Sequence, residues 1–168
     1  YILGKCVKVC PVLSPSEERS PIEQVAAINN DEDIRYKSTS GGAFSGVADE
    51  VLKNGGVVFG AVYNDDFSGA HHECTENTSI DALRKSKYVV SDLRDSFEKV
   101  IEYAKQGKEV FFVGTPCQCA GLAPLVEKYP KVFLVDFICG GNPSEKAFND
   151  KKQLPTKILA NSFFGSYG

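Results

Sequence analysis

Several features are missing from these 168 residues, and each absence narrows the reading. No apolar stretch approaches the ~20 residues that a membrane-crossing helix needs, so no membrane span is expected. No leader segment is visible, and the expected location is cytoplasmic. Charge of one sign is also scarce in excess: 19 basic against 22 acidic residues leave a net charge of −3. That balance argues against a nucleic-acid surface. Methionine is absent altogether and the first residue is Tyr1, from which we expect the chain to be a piece of a longer protein.

What remains is ordinary for a globular domain with a sizeable core: 42% hydrophobic and 24% charged residues. The exception is cysteine. Six are present: Cys6, Cys10, Cys74, Cys117, Cys119 and Cys139. Most are crowded into short motifs in a chain long enough to build its own core. That pattern favours metal or redox use over a disulfide framework, with scattered structural thiols as the plainer alternative.

The chain is organised around Val110-Phe111-Phe112-Val113-Gly114-Thr115-Pro116-Cys117-Gln118-Cys119. The apolar run at 110–113 predicts a strand covered on both faces. Gly114 and Pro116 break it, and a helix is expected from Gln118 to Tyr129, kinked or restarted at Pro124. Thr115 and Cys117 would then sit at a helix N-terminus, which favours anions and thiolates. A second strand, Val132 to Phe137, ends at Cys139-Gly140-Gly141. If the two strands are parallel neighbours, Cys117 and Cys139 leave the same carboxyl edge, where open α/β sheets bind ligands.

Elsewhere, Cys6-x3-Cys10-Pro11 matches the closing half of a bacterial ferredoxin run whose opening cysteines are missing; Leu3 stands where one would be. A short helix is expected at 22–28 and a solvated loop at 29–33. Ser38 or Ser40 is expected to cap a helix from about Phe44 to Leu52, with Gly41-Gly42 allowing close approach to the backbone. This reads either as a phosphate- or flavin-binding turn or as a well-capped helix. A strand at 57–63 and a returning strand at 68–74 suggest a hairpin. His71 and His72 alternate across that strand and so cannot readily share a metal with Cys74; both read as surface residues of an edge strand. Segment 85–91 reads as a basic strand on which Lys87 and Tyr88 could hold a phosphate or stack on a planar ring. Helix 95–106 then leads into the organising strand. The fold class expected is α/β: a mixed sheet with a parallel βαβ unit in the second half and helices packed on it.

Ser40-Gly41-Gly42-Ala43-Phe44-Ser45, Gly55 to Ala61, Ser86-Lys87-Tyr88-Val89, Gly114 to Leu122 and Val135 to Ser144 occur in an order and spacing that resemble the coenzyme F420 hydrogenase/dehydrogenase beta-subunit family. The resemblance runs over roughly residues 4 to 150. It implies an iron–sulfur flavoprotein that passes electrons between a 4Fe–4S cluster, FAD and a partner such as coenzyme F420 or ferredoxin. On that basis Cys117 and Cys139, with Cys6 and Cys10, are metal ligands, and Ser40, Gly41, Gly42, Lys87, Tyr88 and Thr115 line the FAD site. It further implies a ferredoxin-type remnant at 1–12, an N-terminal domain at 35–108 and the start of a C-terminal domain at 109–168. Oligomerisation is left open. The sequence departs from the family pattern at Gly140, where His is usual, and at Asn142, Val90 and Cys119. A redox-inactive accessory domain that kept the fold is the alternative, and a thiol enzyme using Cys117 as nucleophile is a third.

Overall fold

In the computed structural model, which describes Leu13 and residues 20–141, a five-stranded mixed sheet carries helices on both faces. The elements run α1 (Glu32–Lys37), α2 (Ala43–Lys53), β1 (Val57–Tyr63), β2 (Gly69–Cys74), a 3₁₀ turn (Ile80–Ala82), β3 (Ser91–Asp92), α3 (Ser96–Lys105), β4 (Val110–Gly114), α4 (Pro116–Val126) and β5 (Val132–Asp136). The strand order is β3-β2-β1-β4-β5. β1 and β2 form the expected antiparallel hairpin. β4 pairs parallel with both β1 and β5, so β4-α4-β5 is the expected parallel βαβ unit.

The uninterrupted apolar runs of β1 and β4 are explained by burial on both faces. Val58, Val62 and Phe111 point to one side, where Ala48 and Val51 of α2 cover them. Val57, Phe59, Val110 and Phe112 point to the other, under Val100 of α3 and Leu122 and Val126 of α4. Rings knit the layers together: Phe44 stacks on Phe111 at 5.9 Å, and Phe97 meets Phe112 edge-on at 5.9 Å.

Four local expectations need correction. No helix forms over 22–28; the helix lies instead at Glu32–Lys37, because Asp31 caps it by accepting from the N–H groups of Asp33 and Ile34. The segment 85–91 is not a strand. Lys85 adopts φ +68, the Lys87 amine folds back onto the carbonyls of Arg84 and Lys85, and only Ser91–Asp92 pair with β2. β3 flanks β2 only at Gly69 and Ala70, yet His71 is buried, its ring stacked on Phe112, and does not read as a surface residue; His72, on the opposite face, is exposed. Finally, α4 starts at Pro116, runs through Pro124 as one helix and ends at Val126. Pro116 at its first position suits a proline without an amide hydrogen. The expectations for Cys6, Cys10, the helix after Pro143 and the C-terminal tail lie outside the described residues.

Candidate functional site at the carboxyl edge of the sheet

The register places the two expected cysteines with symmetry. Gly114 of β4 pairs with Asp136 of β5, and each cysteine lies three residues past its member of that pair: Cys117 past Gly114, Cys139 past Asp136. Both therefore follow parallel strand ends at one edge. Cys117 sits in the first turn of α4 and is exposed; Cys139 is half-buried in the loop beyond β5. Both sulfurs have polar company. The Thr115 hydroxyl lies 3.1 Å from Cys117 Sγ, and the Gly141 N–H donates to Cys139 Sγ at 3.4 Å. N–H and O–H groups directed at sulfur stabilise a thiolate.

A groove of about 590 Å³ opens beside them, lined by Pro116, Cys117, Cys119, Ala120, Ala123, Leu134 and Asp136. That volume falls in the range of small-molecule sites, and the lining is mostly apolar with a few polar groups. The two thiols of α4 differ. Cys119 is buried, and its thiol donates to the Val135 carbonyl at 3.5 Å. Burial, reinforced by the Asp136 carboxylate, pushes its pKa up to about 11, so it stays a neutral thiol at physiological pH. Cys119 is therefore packing for the groove wall, whereas Cys117 presents an accessible sulfur.

Behind the loop lies a polar chain that the sequence reading did not find. Gln118 accepts from the Thr115 N–H at 2.9 Å, the return half of a capping box, and donates to the Ser91 carbonyl at 3.4 Å. The Ser91 hydroxyl lies 2.6 Å from His71 Nδ1, and His71 Nε2 lies 3.1 Å from the Val113 carbonyl. A carbonyl can only accept, so Nε2 carries the proton and Nδ1 accepts from Ser91. The ring stacks on Phe112 at 5.2 Å and 14°. Burial foremost holds the His71 pKa below its usual 6.5, so it is neutral here. His71, Ser91 and Gln118 thus tie the strand end at Val113 and the Thr115 loop to β2 and β3. Strand parity could have pointed to His71, since it puts that residue on the Phe112 face; nothing in the sequence pointed to Ser91 as its partner.

The remaining predicted residues are distributed unevenly. Tyr88 reaches the same edge, because its N–H donates to the hydroxyl of Tyr63 at the carboxyl end of β1. Lys87 does not project freely. Its amine is committed to the carbonyls of Arg84 and Lys85, and burial lowers its pKa to about 8. At the other motif, Ser38 caps the end of α1, accepting no role at α2: its hydroxyl donates to the Ile34 carbonyl at 2.7 Å. Gly42 is the N-cap of α2, with φ +79 and no side-chain cap, while Ser40 is exposed. The close approach that Gly41 allows is made by the chain itself. A Cβ there would lie 2.8 Å from the Ala27 carbonyl oxygen, and the Gly41 carbonyl accepts from the Asn29 N–H at 2.7 Å. Among the described residues, no group of three or more His, Cys, Asp or Glu side chains is arranged to hold a metal ion, and no helix is long and apolar enough to cross a membrane.

Comparison by sequence finds no matching protein family and no matching curated protein. A solved structure shares the architecture. It is a chain from the F420-reducing NiFe hydrogenase complex of Methanosarcina barkeri, which superposes with a TM-score of 0.59 at 22% identity over 76% of the present chain. The matched stretch spans 47%, about half, of that chain's length. At this identity the likeness establishes the fold.

Proposed function

We propose that this chain is part of an iron–sulfur flavoprotein oxidoreductase, passing electrons between a 4Fe–4S cluster, FAD and a partner such as coenzyme F420 or ferredoxin. The observation that carries the reading is the matched placement of Cys117 and Cys139, each three residues past the Gly114–Asp136 register pair at one sheet edge. Two parallel strand ends then offer two cysteine sulfurs beside a groove of about 590 Å³ and the N-terminus of α4. The structural likeness to a chain of a hydrogenase complex supports a redox role and makes partner subunits plausible.

The donor set fits a cluster in part. Cys117 and Cys139 are hydrogen-bonded sulfurs of the kind that ligate iron, but two thiolates do not complete a 4Fe–4S site. Under this reading Cys6 and Cys10 supply further ligands, and Cys119, held as a thiol, does not. Thr115 and Tyr88 flank the edge where the flavin ring would lie, with Lys87 shaping the adjoining loop; on the same reading Ser40, Gly41 and Gly42 would line the FAD site. A cluster and flavin would supply one- and two-electron chemistry, while the chain sets spacing, hydrogen bonds to sulfur and exclusion of water. The same reading assigns 1–12 to a ferredoxin-type remnant and 35–108 and 109–168 to the two portions of the family, and places the protein in the cytoplasm, where free thiols persist.

Anaerobic reconstitution with iron, sulfide and FAD tests this. Expected are bound iron, sulfide and flavin, with iron and sulfide lost in both Cys117→Ser and Cys139→Ser and retained in Cys119→Ser. A folded chain that takes up neither iron nor flavin overturns the reading and leaves the accessory-domain alternative.

A further inference from the structure

A second pocket, lined by none of the cysteines, gathers three basic side chains around one carboxylate. It has a volume of about 260 Å³ and is lined by Lys37, Asp81, Arg84 and Lys85. Lys37 ends α1 and leads into the Ser38–Gly42 turn; the other three belong to the 3₁₀ turn and the loop that follows it. Two segments far apart in sequence thus converge on one cavity.

Arg84 is its fixed member. Its side chain is only 11% exposed, and its Nε lies 3.2 Å from an Asp81 carboxylate oxygen. Its backbone is tied on both sides: the N–H donates to the Ile80 and Asp81 carbonyls, and its carbonyl accepts from the Lys87 amine. The Lys87 amine also holds the Lys85 carbonyl, at 3.1 Å, in a backbone with φ +68 at Lys85. So Arg84 and Lys85 are positioned by a loop that Lys87 staples from within. Yet Nη1 of Arg84 is buried without a hydrogen-bond acceptor among the described residues. A buried guanidinium donor left unmatched opposes folding, and an entering oxygen acceptor relieves it after a small rotation of the group.

We propose that this pocket binds a phosphate group. Three cations face one carboxylate, which leaves two positive charges to match a phosphate dianion. The planar fork of Arg84 suits a tetrahedral oxyanion, with Lys37 and Lys85 contributing point charges. The volume is below the ~300 Å³ at which sites for whole small molecules begin, so the phosphate enters and any remainder of the ligand lies outside. Free phosphate and the terminal phosphate of a nucleotide share this chemistry. The pocket borders the Ser38–Gly42 turn and the Lys87 loop, which the proposed function gives to the FAD site, but the inference needs neither iron nor flavin and is tested without them.

Calorimetric titration of the full chain at low salt with pyrophosphate, ADP and adenosine tests it. Pyrophosphate and ADP are expected to bind and adenosine not; ADP tighter than pyrophosphate assigns a nucleotide, and the reverse a free phosphate. Lys37→Gln and Lys85→Asn, both at exposed positions, are each expected to weaken binding about tenfold, the effect of losing one charge-assisted contact. Absence of pyrophosphate and ADP binding overturns the proposal, as does unchanged affinity in the Lys37→Gln/Lys85→Asn double variant. Circular dichroism of that variant separates lost binding from lost fold.

Discussion

His71→Phe isolates the polar chain behind the cysteine loop. Phenylalanine keeps a flat ring against Phe112, where the imidazole now stacks at 5.2 Å, but can satisfy neither Ser91 nor Val113. Two hydrogen bonds disappear at a site that is only 4% exposed. Ser91 and Val113 are themselves half-buried, so each loss falls near the low end of the cost of an unmatched polar group, about 1 kcal/mol, or about 2 kcal/mol together. For a chain of this size that lowers Tm by about 4–8 °C. The pH dependence sharpens the test. Burial, with a smaller push from the charge on His72 and against the pull of the Val113 carbonyl, holds the folded pKa of His71 below the unfolded value near 6.5. Below that value the unfolded chain binds a proton that the folded chain resists. The wild-type protein therefore loses stability as pH falls from 6.5 through the lower folded pKa, at most about 1.4 kcal/mol per pH unit for one proton. His71→Phe has no such proton. The gap between the two proteins in urea denaturation should be widest near pH 7.5 and should narrow toward about pH 5.5. An unchanged Tm, or a gap that widens in acid, would refute both the hydrogen-bond assignment and the neutral state of His71.

Three further outcomes follow from local geometry. Gly42→Ala should cost about 1–2 kcal/mol in chemical denaturation, because φ is +79 there and the new Cβ would sit 3.1 Å from Asn29 Cβ; Gly55→Ala, at φ +72 in open space, should cost less and separates strain from crowding. Ser45→Ala should raise stability by about 1 kcal/mol, since the Ser45 hydroxyl is buried without a partner among the described residues and alanine is the better helix former; a loss of stability would mean that this hydroxyl is matched. Thiol labelling of the native protein near pH 8, read by peptide mapping, should modify exposed Cys117 well before buried Cys119, whose pKa of about 11 leaves it a thiol. Equal rates would show that the groove wall opens.

Periodicity made the sheet legible. Runs such as Val57–Phe59 and Val110–Phe112 are apolar on both parities, and only a strand between two helical layers needs that. The same logic correctly put Cys117 and Cys139 on one edge, because parallel pairing follows from a short strand–helix–strand repeat. Failures occurred where a single side chain overrode the pattern. Asp31 nucleated a helix in a segment whose polarity suggested loop, since its carboxylate satisfies two otherwise free N–H groups. Lys87 did the reverse at 85–91, its amine folding the chain onto its own carbonyls and denying β2 a full neighbour. Neither event leaves a periodic trace.

The glycine pair shows why a site is harder to infer than a fold. Gly41 and Gly42 were expected to admit something close to the backbone, and something does come close: the Ala27 carbonyl, 2.8 Å from the place a Cβ would occupy. The backbone requirement was legible, since only glycine tolerates both that approach and φ +79 next to it. The identity of what approaches was not, because a carbonyl of the same chain and an oxygen of a ligand impose the same steric demand. At Cys117 the ambiguity is smaller. An exposed sulfur beside a hydroxyl, three residues past a strand end whose partner strand leads to a second sulfur at the same offset, is costly to explain as packing, because no packing is gained by exposing it. Cys119, two residues on, supplies the contrast: the same residue type, on the same helix, buried and bonded to Val135 as a core thiol would be.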